Sequence, residues 1–380
     1  MPESFDIGIV GAGCAGLQLL QQLALHQDWP TQKLLLIDDG SEKLQSWCFW
    51  SKNSHPLQHL VTKTWHQLSF RAVNISINES ISPYAYHYIS GKDFYTYFNH
   101  DFIPANPNIT LVLGKVNLIT KTNAGFSIST DDVTWNVKQC FSSLLPFSQN
   151  KRLMIWQHFK GWYIETEKAV FNDRTAFLMD FSLPTKGKVN FIYLLPFSKN
   201  LALIEATYFS AEIADDAVYD DLLKQYIKQK FPDIKFKIKN TEKGRIPMSK
   251  ELFNRYGPAG EVLIGKAAGM VKATTGYTFN RIANDSALLA QTFFQKKPFA
   301  WPATKGRFRF YDQLLLNIIA ERAALVPKIF TRLFKYNRLP LVLQFLDEET
   351  DFTAEVKIFF TLPIVPFLKE ALKQVMKQLM

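Results

Sequence analysis

The residues Phe5-Asp6-Ile7-Gly8-Ile9-Val10-Gly11-Ala12-Gly13-Cys14-Ala15-Gly16 constrain this chain more than any other stretch. They read as a short apolar strand that runs directly into Gly-x-Gly-x-x-Gly. In that arrangement Gly11 allows the tight turn, Gly13 lets the backbone approach a pyrophosphate, and Gly16 lets the next helix pack on the strand. Residues 17–24 contain no helix breaker and keep an apolar stripe, so a helix follows whose N-terminal N–H groups favour phosphate. A second apolar strand over 33–38 ends at Asp38, 22 residues beyond Gly16. A carboxylate there can accept hydrogen bonds from an adenosine ribose. Strand, glycines, helix, strand and acid in this order predict a dinucleotide-binding βαβ unit.

At 380 residues the chain exceeds one ordinary core, which predicts about two domains. Residues 108–119 read as a further buried strand and its continuation, followed by strands at 126–129 and 133–141. A third strand followed by a meander is the order expected when a dinucleotide fold takes FAD rather than NAD alone. Strand signals recur at 153–162, 176–181, 189–195 and 201–209, which predicts an antiparallel sheet. Helical spacing of Tyr219, Leu222, Leu223, Tyr226 and Ile227 predicts one amphipathic helix. Gly-rich loops return over 241–285, and 306–380 reads as helices broken at Pro327, Pro340, Pro363 and Pro366. The expected fold class is mixed α/β (α+β) with three parts. A Rossmann-type FAD-binding domain comprises 1–50, 90–150 and 241–300. A substrate-binding antiparallel-sheet domain comprises 51–89 and 151–240, and a helical region spans 301–380.

Composition narrows the partners. Hydrophobic residues at 47% and charged residues at 21% match a folded globular chain. Aromatic residues reach 14%, with 32 Phe, which serves either a large aromatic core or an apolar cavity for a large unsaturated ligand. Cys14, Cys48 and Cys140 show no metal or disulfide spacing, so neither zinc nor a disulfide framework is expected, and a reducing interior fits. The net charge of +10 comes without a nucleic-acid motif, so an anionic membrane surface is the better expectation than DNA or RNA. The chain carries no secretory leader ahead of the first strand and no apolar run near the ~18 residues a spanning helix needs. The expectation is a cytoplasmic protein associated peripherally with membrane. Its contact would be the basic and apolar segments from residue 307 onward, with Phe359, Phe360, Leu362, Ile364, Val365 and Phe367 facing lipid.

Three carboxyls are candidates for acid chemistry. Alternation on the strand 201–209 puts Leu203, Glu205 and Thr207 on one face, so Glu205 is a carboxyl flanked by apolar neighbours. Burial raises a carboxyl pKa, and a buried protonated Glu is a usable acid near neutral pH. An edge-strand Glu pointing to water is the alternative. Asp180 in Phe-Leu-Met-Asp-Phe has similar surroundings, and Glu165 less so. A further Gly-rich stretch, 265–279, follows a strand and precedes a helix, so its backbone N–H groups could meet a flavin. Gly269, Thr275 and Gly276 within it, and Val116 in the segment 108–119, complete the cofactor-contact candidates. Residues 46–50, Ser46-Trp47-Cys48-Phe49-Trp50, form a dense aromatic cluster with no obvious period.

Taken together, these segments resemble the FAD-containing lycopene cyclase family. The resemblance covers nearly the whole chain. It rests on Gly11-x-Gly13-x-x-Gly16-Leu17, Trp47-Cys48-Phe49-Trp50, Gly161-Trp162-x-x-Glu165-Thr166 and Phe177-x-Met179-Asp180-Phe181. It rests also on Leu194-Leu195-Pro196-Phe197-Ser198 leading into Leu203-Ile204-Glu205-Ala206-Thr207, on Ile246-Pro247-Met248, and on Thr274-Thr275-Gly276-Tyr277-x-Phe279. Where the family often carries two adjacent acids, Ala206 follows Glu205 here, so only Glu205 is carried over as the acid. The Gly-Asp pair common in FAD enzymes is Gly265-Lys266.

The resemblance implies acid-initiated cyclisation of the ends of lycopene, or of other linear carotenoids, to β-ionone rings. That is an isomerisation with no net redox change. It further implies reduced FAD as cofactor, NAD(P)H as its reductant, and aromatic faces at Trp47, Phe49, Trp50 and Tyr277 that stabilise positive charge. Two alternatives stay open: another FAD enzyme of the same fold, such as a hydroxylase or prenyl-chain reductase, and a non-catalytic polyene-binding flavoprotein.

Overall fold

The apolar residues ahead of Gly11 form the central strand of a parallel sheet in the computed structural model. The structure describes residues 4–41, 43, 45–145, 155–185, 187–249, 253–301 and 306–379. The first part of the chain runs β1 (Ser4–Val10), α1 (Cys14–Ala24), β2 (Leu34–Asp38), β3 (Trp47–Ser51), β4 (Lys63–Trp65), β5 (Gln67–Ala72), β6 (Ile75–Ser80) and β7 (Ala85–Ile89). Then follow α2 (Gly91–Thr96), β8 (Ile109–Leu113), β9 (Leu118–Thr122), β10 (Gly125–Ser129) and β11 (Thr134–Ser142). The middle part holds β12 (Ile155–Thr166), β13 (Thr175–Asp180), β14 (Val189–Pro196), β15 (Leu201–Ser210), α3 (Asp216–Lys230), β16 (Phe236–Met248) and β17 (Val262–Leu263). Helices close the chain: α4 (Phe279–Phe294), α5 (Gly306–Glu321), α6 (Val326–Tyr336), α7 (Leu339–Leu346), α8 (Phe352–Thr361) and α9 (Ile364–Leu379).

The first sheet has the order β8-β2-β1-β11, all parallel, with β10 and β9 added antiparallel and β17 parallel beside the end of β11. Its central strands are apolar throughout because α1 and α4 cover one face and the β9–β10 meander closes over the other. Residues 108–119 depart from the expected buried strand. β8 is the sheet edge, and Leu111 and Leu113 are 40% and 72% exposed. An edge strand has neighbours on one side only, which apolar content alone does not reveal.

The second sheet has the order β16-β12-β15-β14-β13-β5-β6. Alternation assigns its two faces. Trp162, Ile164, Ile192, Ile204 and Ala206 pack on the apolar side of α3 through Tyr219, Leu223 and Tyr226. On the other face, residues such as Tyr193, Leu195 and Leu203 join Leu68 and Phe70 beneath the C-terminal helices. Phe70 stacks on Phe334 of α6 (4.4 Å), and Phe181 lies against Phe330. The helical region therefore shares one continuous core with the sheet. Each fully buried aromatic there contributes roughly 1.5–3 kcal/mol.

The boundary expected at 240/241 falls inside β16, which pairs with β12 along its length. The segment 51–89 is likewise divided. β5 and β6 extend the second sheet, whereas β3, β7 and β4 form a separate three-stranded sheet. Residues 153 and 154 of the expected strand 153–162 lie outside the described residues. Proline acts differently from the expected breaks as well. Pro327 and Pro340 occupy the first turns of α6 and α7, where a missing N–H costs nothing. Among the described residues no helix is long and apolar enough to cross a membrane. Phe359 packs on Tyr311 (4.7 Å), Leu362 is buried and Phe367 joins the core, so these three do not face outward as expected. Among the described residues, Phe352 and Phe360 of α8 and Ile364, Val365, Leu368, Leu372 and Met376 of α9 are exposed apolar side chains.

Candidate active site

The glycine turn is built as a cradle. Gly11 takes φ +99° and donates its N–H to Ile37 O (2.7 Å), which ties the turn to β2. A Cβ on Gly16 would stand 2.0 Å from Gly11 O, so only glycine lets α1 approach β1 this closely. Above Gly13 the space is open, with nothing within 4 Å of where a Cβ would be. No side chain caps α1, so its N-terminal N–H groups and dipole are left to favour a phosphate. Asp38 ends β2 as expected but is more engaged than a bare ribose acceptor. Its Oδ2 accepts from Ala12 N (2.6 Å), and its Oδ1 accepts from Gly40 N (3.1 Å) and Lys43 Nζ (2.5 Å). Asp38 thus also fixes the glycine turn. Val116 lies in the β8–β9 connection, which Gly114 N ties to Asp38 O (2.8 Å).

A cavity of about 200 Å³ lies against the second sheet. Its walls come from one face of β12, β14, β15 and β16, from β3 and β7, and from the loop 271–279. Trp47, Tyr86, Tyr88, Phe159, Tyr193 and Tyr277 give it an aromatic lining. Thr275 and Gly276 stand on the loop side opposite Gln157 of β12. Thr275 Oγ1 and Gln157 Oε1 are buried without a hydrogen-bond partner. Two buried polar atoms without partners in the wall of one cavity are what a polar ligand such as a flavin would satisfy. The residues present therefore fit FAD, with its pyrophosphate at Gly13 and α1 and its ring end near Thr275, Gly276 and Gln157. Gly269 owes its identity to something else: φ is +70°, and a Cβ would stand 2.5 Å from the Phe253 ring.

Glu205 borders this cavity. It is half-buried, because its carboxyl meets the cavity while its stem is packed. Its Oε1 accepts from Thr207 Oγ1 (2.8 Å). Burial, and then the neighbouring Glu242 carboxyl, push the Glu205 pKa well above the ordinary range, against the opposing pull of Thr207. Glu242 was not legible as a site residue. It enters through register, since Gly161 of β12 pairs with Glu205 of β15 on one side and with Glu242 of β16 on the other. The two acids lie on next-nearest strands, roughly 10 Å apart at the backbone. Because Gly161 has no side chain, they can converge over it. A Cβ there would sit 3.3 Å from Glu205 Cβ and from Glu242 Cγ. Each carboxyl acts on the other's titration, Glu242 raising that of Glu205 and Glu205 lowering that of Glu242. Glu242 Oε2 also accepts from Tyr163 OH (2.8 Å), which bonds to Tyr88 OH (2.6 Å), and Tyr88 donates to Ser46 Oγ (2.9 Å). Burial raises the Glu242 pKa, while these donors hold it down.

The other two acids are elsewhere. Asp180 is buried on the α3 side of the second sheet, where its Oδ2 accepts from Tyr226 OH (3.0 Å) and lies 3.7 Å from Lys230 Nζ. The expectation that it shares the chemistry fails on geometry. A register shift in β13 between Phe177 and Asp180 sets it against α3 rather than the cavity. Glu165 is half exposed at the end of β12 and pairs with Lys239 (3.2 Å), so it is a surface carboxylate and not a site residue. The aromatic cluster also divides. Trp47 lines the cavity beside Phe94 and Phe279, whereas Phe49 and Trp50 line a second cavity of about 350 Å³ behind Tyr277. Trp50 Nε1 donates to Asp347 Oδ2 (2.6 Å), and its ring meets Tyr277 edge-on at 4.5 Å. Tyr277 lines both cavities. Among the described residues no His, Cys, Asp and Glu cluster could hold a metal ion.

A parallel dinucleotide unit joined to a second, largely antiparallel sheet that carries an aromatic cavity is an architecture used by flavin-dependent enzymes. Residues 6–372 match the family described as "Lycopene cyclase protein", and the chain belongs to that family. No curated protein sequence matches it. Among solved structures, it is similar to the flavin-dependent brominase Bmp2 over 99% of this chain and 100% of that one, with TM-score 0.62 and 11% identity. A geranylgeranyl bacteriochlorophyll reductase-like protein (Ta0516) from Thermoplasma acidophilum matches with TM-score 0.57 at 13% identity, covering 94% and 96%. The halogenase PltM in complex with phloroglucinol and FAD matches with TM-score 0.54 at 12% identity, covering 90% and 82%. At these identities the likeness establishes a common fold.

Proposed function

We propose that this protein is a lycopene β-cyclase that converts the linear ends of lycopene to β-ionone rings, by way of γ-carotene to β-carotene. The observation that carries this reading is Glu205: a carboxyl at the wall of an aromatic cavity, in a chain of the lycopene cyclase family, with a pKa raised by burial. Such a carboxyl keeps its proton near neutral pH and can deliver it to an alkene. The terminal double bond of the polyene takes that proton. The neighbouring alkene then closes the ring on the resulting cation, and loss of a ring proton leaves the new double bond. Atoms are rearranged and none are gained, so the reaction is an isomerisation.

The remaining residues meet the demands of a carbocation. Trp47, Tyr86, Tyr193 and Tyr277 present ring faces and edges around the space, and each cation–π contact is worth about 0.5–2 kcal/mol. Their packing also keeps out water that would trap the cation. FAD is the cofactor on this reading, held by Gly11, Gly13, Gly16 and Asp38 at one end and by Thr275 and Gly276 at the other. When bound and reduced, with NAD(P)H as reductant, it supplies negative charge that favours the cation. The substrate is water-insoluble, so the protein works at a membrane surface, with α8 and α9 as its contact.

Expression in cells that accumulate lycopene, with pigments separated by chromatography, tests the reading. β-Carotene is expected. Unchanged lycopene in cells that contain the FAD-loaded protein would overturn it.

A further inference from the structure

We propose that Glu205 and Glu242 work as a pair that holds a single proton, with Glu205 as the acid and Glu242 as the carboxylate that takes the proton back when the ring double bond forms. The proposal rests on the cyclase reading above and assigns the step that Glu205 alone leaves open. The first proton transfer leaves Glu205 as an anion, and the cycle ends only when a ring C–H bond releases a proton to some base at the same cavity.

Three observations point to Glu242. The first is register: Gly161 places both carboxyls on the cavity face and leaves the gap in which they meet. The second is the division of donors. Glu242 accepts from Tyr163, which stands at the end of the chain through Tyr88 to Ser46, whereas Glu205 accepts from Thr207. Hydroxyl donors aimed at Glu242 favour its ionised form, so the shared proton resides on Glu205. The third is isolation. The groups that face the pair are Tyr163 of β12, Tyr193 of β14, Cys48 of β3, Tyr88 of β7 and Tyr277. Burial holds these hydroxyls and the thiol in their neutral forms. The cations at the cavity, Lys243, Arg245 and Lys266, stand on β16 and the 265–268 turn, and none of them is ion-paired with either acid.

The step balances. The Glu205 O–H bond breaks as a C–H bond forms at the terminal alkene carbon, and the positive charge appears on its neighbour. The ring closes by forming one C–C bond from the next alkene. A ring C–H bond then breaks, its electron pair becomes the ring double bond, and the proton passes to Glu242. Transfer between the two neighbouring carboxyls returns it to Glu205. Nothing is oxidised or reduced.

The test compares FAD-loaded wild type, Glu242→Gln and Glu242→Asp on lycopene in lipid vesicles across a range of pH. A one-proton pair gives a bell-shaped rate profile. The alkaline limb marks loss of the shared proton, and the acid limb marks protonation of Glu242. Glu242→Gln should lose the acid limb and move the alkaline limb to lower pH by about one unit or more, because the neighbouring negative charge that holds the Glu205 proton is gone. It should also raise the share of rings with a shifted double bond, since the proton acceptor sets that position. Glu242→Asp should restore both limbs. A Glu242→Gln enzyme with the wild-type limbs and product ratio would overturn the proposal.

Infrared difference spectra of wild type against Glu205→Gln, recorded without substrate, read the same proton independently of turnover. A protonated carboxyl band at neutral pH that titrates at lower pH in Glu242→Gln is expected, and its absence overturns the pair. If the band is present but no rings form, the cyclase reading and the return step fall together, and only the shared proton stands.

Discussion

Glu205 is an expensive residue to keep where it is, and that cost can be measured. In an unfolded chain a Glu releases its proton near pH 4.3. In the folded chain, burial and Glu242 hold that proton to a higher pH. Between the two values the folded state binds the extra proton, so stability falls as pH rises through that window and stays low above it. Glu205→Gln keeps the shape and removes the titration. The variant should be more stable than wild type toward urea at alkaline pH and should bind FAD, yet lose ring formation by ~10²–10⁴-fold, the usual contribution of a general acid. Near-normal β-carotene from a flavin-loaded Glu205→Gln enzyme would remove Glu205 from the mechanism. Asp38 has a separate role at this scale. Its carboxylate meets Ala12 N, Gly40 N and Lys43, so Asp38→Ala loses any ribose contact and also the tie that shapes the phosphate turn. A loss of about 1.5–3 kcal/mol in FAD affinity is expected by flavin fluorescence titration.

At the level of elements, α3 shows how a buried acid can be structural. Asp180 accepts from Tyr226 OH and from Ser182 N (2.9 Å), pinning α3 to β13. Asp180→Asn should therefore lower stability by ~1–3 kcal/mol in urea unfolding while ring formation per bound flavin is retained. Loss of activity at full stability would return Asp180 to the chemistry. The sequence placed Asp180 and Glu205 in the same kind of apolar surroundings, because alternation records burial and not which face is covered by what. Only the shift in β13 separates them. The same limit hid Glu242. Residues 241–245 of the edge strand β16 carry no apolar side chain, so this stretch reads as part of a Gly-rich loop. Gly-x-Gly-x-x-Gly, α1 and β2 were legible because local geometry alone dictates those residues. The convergence of two acids over Gly161 depends on three strands distant in sequence, and a one-dimensional pattern carries no trace of it. The C-terminal prolines were visible, but their meaning depended on which helix each one starts.

At the scale of the whole molecule, the exposed apolar residues and the net charge of +10 bear on one question that the cyclase reading raises: how the chain would reach a substrate that does not dissolve. Val365, Leu368, Leu372 and Met376 recur at helical spacing along α9, each 56–64% exposed, and Phe360 of α8 is 73% exposed. Phe367 and Glu370 turn inward from the same helix, and Glu370 meets Arg322 (3.2 Å). α9 is thus anchored on one side and apolar on the other, as a helix lying in a membrane interface is. Anionic lipid adds about 1 kcal/mol for each basic residue near the surface, and salt screens that part. Burying the two leucines adds roughly 1.5–3 kcal/mol each, which salt does not weaken. The protein should therefore float with anionic liposomes at low salt and retain part of that binding at high salt. The double variant Leu368→Asp with Leu372→Asp should bind at least about tenfold less while keeping its fold and its FAD. It should also convert lycopene in vesicles more slowly than lycopene dispersed in detergent, where no surface has to be found. Undiminished flotation of that variant would show that α9 is not the contact, and equal slowing in vesicles and detergent would show that the two leucines serve the fold instead.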